Sequence, residues 1–260
     1  MIDAALQQFL DTLADAASAA ILPYFRQSTA VDDKRLKGVF DPVTEGDRAG
    51  ERAMRALINA HYPDHGILGE EYGAENLDAD YVWVLDPIDG TRAFISGLPV
   101  WGTLIGLTFR GRPVLGMMAQ PFTGERYAGD TTSAWYTGPG GPRSLAVRPR
   151  DTLAESTLMT TSPFLFKGDE ATAYDRVQSA VRMARYGTDC YAYAMVAAGN
   201  IDLVVENGLQ AYDIVALIPI IEGAGGLVTD WSGGPCWQGG QVLACGDRRV
   251  HAEALEKLRG

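Results

Sequence analysis

The sequence predicts an α+β fold of stacked helical and sheet layers, and three features predict it. Strand-like runs cluster between Tyr81 and Tyr136, helical spacing surrounds them, and short strands and helices alternate from Ser156 to the C-terminus. Elements that each carry one apolar face bury it by stacking in layers around a shared core.

The elements follow in order. Ile2, Leu6, Phe9, Leu10, Leu13, Ala17, Ile21 and Tyr24 keep helical spacing, so the chain opens on a long amphipathic helix that Pro23 kinks or ends. A polar stretch from Asp32 to Phe40 reads as a loop. A second helix starts near Thr44 and runs through Met54, Leu57 and Ile58 toward Pro63, with Thr44 and Asp47 spaced as a capping box. Tyr81 to Leu85 is a buried strand that Asp86-Pro87 stops. Thr103 to Phe109 and Pro113 to Ala119 form two strands around the tight turn Arg110-Gly111-Arg112, and Arg126 to Ala128 and Ala134 to Tyr136 continue the pattern.

Gly138-Pro139-Gly140-Gly141-Pro142 is the strongest loop signal. It divides an N-terminal α+β half, residues 1–140, from a C-terminal α/β half, residues 141–260, within one compact unit. In the second half Ser156 to Thr161, Ile201 to Val205, Leu227 to Trp231 and Val242 to Ala244 read as strands. Glu170 to Met183, Asp189 to Ala198, Asp213 to Glu222 and Arg248 to Leu258 read as helices.

At 260 residues, 47% of them hydrophobic and 21% charged, the chain has the composition of a soluble globular enzyme. No apolar run approaches the ~20 residues that span a bilayer. The first 26 residues lack the layout of a signal peptide, and Cys190, Cys236 and Cys245 read as free thiols, so the expectation is a cytoplasmic protein. A net charge of −11 supplies no basic face for nucleic acid. An acidic protein that handles an anion needs cations in between.

The most informative stretch is Trp83-Val84-Leu85-Asp86-Pro87-Ile88-Asp89-Gly90-Thr91. Two aspartates three apart at a strand end suit neighbouring divalent cations, and Mg²⁺ takes few carboxylates and completes its shell with water and phosphate. A helix starting at Thr91 would aim free N–H groups, with that of Gly90, at the same place. Further acids stand in suitable settings: Glu70 and Glu71 after the apolar pair Ile67-Leu68, Asp213 at the start of an apolar helix, and Asp47 in the first turn of another. Singly, each has an ordinary reading. Glu70 or Glu71 fits a solvated loop charge, Asp213 a helix N-cap, Asp47 a charge complementing the helix dipole, and the Asp-Pro-Gly set a turn.

Taken together, Asp41-Pro42-Val43-Thr44-Glu45-Gly46-Asp47, Gly69-Glu70-Glu71, Asp86-Pro87-Ile88-Asp89-Gly90-Thr91, and Tyr212-Asp213 followed by Glu222-Gly223-Ala224-Gly225-Gly226 resemble the inositol-monophosphatase superfamily. The resemblance runs from about Lys37 to the C-terminus. It implies a layered αβαβα sandwich of the inositol-monophosphatase and fructose-1,6-bisphosphatase type, and a homodimer. It also implies that Glu70, Asp86 and the Ile88 carbonyl hold a first Mg²⁺ and that Asp86, Asp89 and Asp213 hold a second, with a weaker third near Glu70. Gly90 and Thr91 would bind phosphate, and the Thr91 hydroxyl, oriented by Asp47, would help Glu70 and its metal activate the attacking water. Lys37 lies where relatives often place a basic residue, and a solvated loop lysine fits it equally. His61, His65 and His251 fall outside every motif and read as surface or loop residues.

Thr160 to Phe166, Tyr186 to Ala194 and Val205 to Asp213 resemble the histidinol-phosphate phosphatase branch, and Arg92-Ala93-Phe94 replaces the Thr-Asn-Phe of many inositol phosphatases. Asp41 and Gln210-Ala211 depart from the branch pattern, where Ser and Lys-Pro are common. Histidinol carries an ammonium and an imidazole, so its pocket should offer carboxylates; Asp189 and Glu206 are the candidates, with Arg92 beside them. A helix N-cap and a strand-end charge are the ordinary readings of Asp189 and Glu206. The alternatives are an inositol-1-phosphate or broad sugar-phosphate monophosphatase, and a non-catalytic phosphate- or metal-binding regulator.

Overall fold

The computed structural model describes residues 4–27, 31–33 and 42–260. Lys37 and Asp41, and the expected loop beyond Asp33, lie outside the described residues. Helix α1 spans Ala4–Ile21 and passes into a 3₁₀ turn at Leu22–Tyr24, where Pro23 has no N–H to continue the α-helical ladder. Strand β1, Val31–Asp33, pairs antiparallel with β2, Pro42–Thr44, so Asp32 and Asp33 are strand rather than loop. Helix α2 spans Glu45–His61, with Thr44 as N-cap and the capping box to Asp47 formed.

The first sheet holds β3 (Gly66–Gly69), β4 (Gly73–Glu75), β5 (Tyr81–Asp89), β6 (Gly102–Phe109), β7 (Arg112–Gln120), β8 (Glu125–Gly129), β9 (Ala134–Thr137) and β10 (Arg143–Ser144). Their order is β10-β9-β8-β7-β6-β5-β3-β4, antiparallel except for β3 beside β5. The short helix α3, Thr91–Ile95, follows β5. The turn joining β6 to β7 puts both Arg110 (φ 50°) and Gly111 (φ 78°) in the left-handed region, the geometry that suits the twist of a two-residue hairpin.

The second sheet is built from β11 (Thr157–Thr160), β12 (Met183–Tyr186), β13 (Leu203–Leu209), β14 (Leu227–Thr229) and β15 (Gly240–Cys245), in the order β12-β11-β13-β15-β14. Around it lie α4 (Asp169–Gln178), α5 (Asp189–Ala197), α6 (Ala211–Ile214), α7 (Leu217–Gly223) and α8 (Arg248–Arg259).

Three apolar clusters define the layers. Leu10, Leu13, Met54 and Ile58 of α1 and α2 pack on Trp83, Ile105 and Met117 of the first sheet. Tyr193, Val196, Leu217 and Ile220 of α5 and α7 fill the space between Leu104 and Met118 of the first sheet and Val204 and Ala244 of the second. Tyr174, Val177, Val250 and Leu258 of α4 and α8 cover the outer face, on Leu203 and Leu243. The architecture is therefore an αβαβα sandwich. With both faces covered, the central strands are apolar on each side, which explains their continuous rather than alternating hydrophobicity.

Gly106, Gly116 and Gly129 face one another across β6, β7 and β8. A Cβ at Gly116 would lie 1.9 Å from the Ala216 carbonyl oxygen, and one at Gly129 2.5 Å from that of Pro219. This bare strip lets the α6–α7 backbone settle onto the sheet, and Asp213 rides on that segment.

Several expectations are corrected. The strand at Tyr81 is not stopped at Asp86-Pro87 but continues to Asp89. Beyond Leu85 its neighbour β3 has ended, so Pro87 leaves no ladder bond unmade on that side. The helix expected over Glu170–Met183 ends at Gln178, and Met183–Tyr186 is instead a parallel edge strand beside β11. The helix expected over Asp213–Glu222 is split into α6 and α7, since Pro219 cannot donate to the Val215 carbonyl. His251 is no surface residue; it is buried in α8 with Nε2 2.9 Å from the Thr229 hydroxyl.

Candidate metal centre and substrate cleft

The site begins where β5 breaks register with β6. Asp86 opposes Leu104 and Asp89 opposes Gly102, so β5 carries one extra residue and bends. The Pro87 carbonyl accepts the Thr103 hydroxyl at 2.8 Å, and the Ile88 N–H donates to Asp86 Oδ1 at 3.1 Å. The bend turns both aspartates toward the neighbouring α6, where Asp213 Oδ2 accepts the Gln210 N–H at 2.6 Å in a capping box. Carboxylate oxygens of Asp86, Asp89 and Asp213 all lie within 4.8 Å of one another. Glu70 leaves β3 with its N–H on the Leu85 carbonyl and its side chain bonded to that of Asp86.

Burial, followed by the charges of Glu70, Asp89 and Asp213, pushes the Asp86 carboxyl well above the usual range. Asp89 is pushed the same way by burial and by Asp189 and Asp213. So dense a set of acids stays ionised at neutral pH only with a cation among them. The donor set is all oxygen, which fits a hard divalent ion.

Two supports escaped the sequence reading. Glu51, 0% exposed on α2, accepts the Glu71 N–H at 2.8 Å, the Tyr72 N–H at 3.2 Å and Arg55 Nε at 2.7 Å. It clamps the turn that carries Glu70, and it fills the space a Cβ on Gly69 would need, 1.9 Å from Glu51 Oε1. In sequence Glu51 is one more charge on an amphipathic helix; only its burial marks it. The second support is the Cys190 N–H at the start of α5, which donates to Asp89 Oδ2 at 2.6 Å. Asp189 before it takes a left-handed backbone (φ 41°), a conformation costing about 1–3 kcal/mol in a non-glycine residue.

A cleft of about 730 Å³ brings Glu70, Asp89, Gly90, Thr91, Arg92, Asp189, Glu206 and Asp213 together. Asp86 and Ile88 lie buried beneath it. Thr161, on the far wall, donates its N–H to Glu206 Oε1 at 2.5 Å. Burial carries the Glu206 carboxyl to about 8 against that bond. Burial also raises Asp189, opposed by the Thr161 hydroxyl and the Arg92 guanidinium.

The expected link from Asp47 to Thr91 is not made. The Thr91 hydroxyl donates to the Ile88 carbonyl at 3.0 Å, and Asp47 Oδ2 accepts the Thr44 N–H and hydroxyl at 2.7 and 2.6 Å. The capping box claims one carboxylate oxygen, while the other, Oδ1, is buried with no hydrogen-bond partner among the described residues. Burial raises the Asp47 carboxyl to about 6.

The sequence pattern of the inositol monophosphatase family matches residues 4–260. The chain belongs to the inositol monophosphatase family. It is 44% identical over 259 residues to the Arabidopsis thaliana protein named bifunctional phosphatase IMPL2, chloroplastic, a match covering 95% of this chain and 73% of that one. To a histidinol-phosphatase of Chlorobaculum parvum it is 34% identical over 222 residues, 85% of this chain and 84% of the relative. The solved structure of an inositol monophosphatase from Zymomonas mobilis aligns with a TM-score of 0.87 and 40% identity over the full length of both chains. The protein is thus a phosphatase of this family acting on small phosphate esters, and enzymes of the family are metal-dependent. Among the described residues no helix is long and apolar enough to cross a membrane.

Two outcomes follow from the site. Glu51→Gln keeps the side-chain shape but turns an amide N–H toward groups that donate, so Mg²⁺ affinity measured by calorimetry should fall about tenfold to a hundredfold. An affinity equal to wild type would remove Glu51 from the support of the metal site. The raised carboxyls make the metal-free fold bind extra protons. Its stability is therefore complete below the ordinary carboxylate range and declines as pH rises through about 6 for Asp47 and about 8 for Glu206. Mg²⁺ should raise the Tm more at pH 8 than at pH 6, since protons compete with it for the acids; a pH-independent increment contradicts this.

Proposed function

We propose that the protein is a Mg²⁺-dependent histidinol-phosphatase, hydrolysing L-histidinol phosphate to L-histidinol and phosphate in the cytoplasm as a homodimer. The observation that carries the substrate is the far wall of the cleft, where Asp189 and Glu206 flank Thr161 a short reach from the metal carboxylates. Burial and then the Asp189 charge raise the Glu206 carboxyl; a cationic ligand stabilises two such acids, and the histidinol ammonium and imidazole supply one. Relatives at 34% and 32% identity named histidinol-phosphatase, from Chlorobaculum parvum and Streptomyces coelicolor, support the same reading.

Glu70, Asp86, the Ile88 carbonyl, Asp89 and Asp213 would hold two or three Mg²⁺ ions. When bound, these supply charge neutralisation for the phosphoryl group and an acidified water. The chain's own groups do the rest. Gly90, the left-handed N-cap of α3 at φ 84°, and Thr91 present N–H groups to the phosphate. The Thr91 hydroxyl, which donates to the Ile88 carbonyl, would orient the water through its lone pairs. Arg92 sits beside Asp189 and limits how far that acid is raised. Phosphoryl transfer mostly needs positioning and charge neutralisation, which this arrangement supplies without a histidine base.

The second reading is an inositol-1-phosphate phosphatase, favoured by the 40% identity to the Zymomonas mobilis inositol monophosphatase. Phosphate release with Mg²⁺ separates the two. The proposal expects kcat/KM for L-histidinol phosphate to exceed that for myo-inositol 1-phosphate by about a hundredfold, or about 2.7 kcal/mol. It also expects Asp189→Asn to raise KM about tenfold for the first substrate and little for the second. Equal rates on both substrates, or a variant indifferent to the ammonium, would assign the cleft to inositol phosphate.

A further inference from the structure

The parallel strands that carry the catalytic cleft at their C-terminal ends carry a second cleft, of about 380 Å³, at their N-terminal ends. Thr157 lines the second and Thr161 the first. Four extended steps separate them, about 13 Å at ~3.3 Å per residue. Arg148, Arg150, Arg182 and Arg185 line this second cleft together with one carboxylate, Glu155. In a chain of net charge −11, four arginines converging on one depression are not an average patch of surface.

The arginines are held in two ways. Asp202, 2% exposed, accepts Arg148 Nε and Nη2 at 2.7 and 2.6 Å, Arg150 Nε at 3.2 Å and the Thr157 N–H at 2.7 Å. That carboxylate fixes two guanidinium groups to the sheet and has both oxygens engaged. Arg182 and Arg185 stand exposed on the β12 side, and among the described residues no carboxylate lies within ion-pair distance of either. Four guanidinium charges against Glu155 and Asp202 leave two positive charges unbalanced.

We propose that this cleft binds the dianionic phosphate group of a small molecule, at a site separate from the catalytic centre. Guanidinium forks match phosphate oxygens in pairs, and a dianion balances the excess charge. The volume falls within the range of small-molecule pockets, and Met183 and Ile201 supply an apolar wall for whatever carries the phosphate. A long polyanion is disfavoured because the rest of the acidic surface repels it. This site uses none of the residues of the proposed phosphatase reaction and stands whichever ester that reaction takes.

Calorimetric titration of the Mg²⁺-loaded full-length protein with inorganic phosphate, and separately with methylphosphonate, tests the site. Wild type should show two phosphate sites. Arg182→Ala/Arg185→Ala should weaken one of them at least about tenfold with Tm unchanged, and Asp89→Asn should remove the other. Methylphosphonate binding at the arginine site identifies an organic phosphate as the occupant, and phosphate binding alone identifies the free ion. Retention of both sites in the double variant, or a wild type whose single site vanishes in Asp89→Asn, overturns the proposal.

Discussion

Three carboxylates held within 4.8 Å of one another are the constraint around which this fold is arranged. Each ionised pair at that distance repels by about 3 kcal/mol at an effective dielectric near 20. Nothing about Asp86, Asp89 and Asp213 makes them converge unaided. A register break in β5 bends two of them outward, and the α6 capping box fixes the third. The Gly106-Gly116-Gly129 strip allows the α6–α7 backbone to come close enough to deliver it. The Cys190 N–H and Glu51 complete the restraint from α5 and α2. The α1–α2 layer and the α5–α7 layer therefore both contribute to this site.

The same concentration of charge reconciles an acidic protein with an anionic substrate. Without cations the cleft repels a phosphate ester; with them, the carboxylates become the frame that holds positive charge where phosphate must sit. The cleft also carries two acids outside that cluster, Asp189 and Glu206, and the proposed histidinol-phosphate specificity rests on them.

Much of this was legible in the chain. The Thr44–Asp47 capping box, the strand entering Asp86 and the grouping of Glu70, Asp89, Gly90, Thr91, Arg92, Asp189, Glu206 and Asp213 in one cleft follow from local spacing and the family resemblance. What stayed hidden depended on neighbours. Pro87 looks like a stop until the β3 pairing is seen to end two residues earlier, at Leu85. Met183–Tyr186 continues a helical pattern until β11 offers it a parallel partner. Glu51 is indistinguishable from a solvated helix charge until its burial is known, and Asp47 is diverted from Thr91 by the cap it makes at its own helix. Local rules do not report which of two partners a carboxylate will choose.

Anomalous diffraction from crystals of the protein grown with Mn²⁺ in place of Mg²⁺ tests whether the carboxylate cluster is a metal site. Strong peaks are expected between Asp86, Asp89 and Asp213 and beside Glu70. An empty cluster at saturating Mn²⁺, or metal bound elsewhere, would contradict that reading.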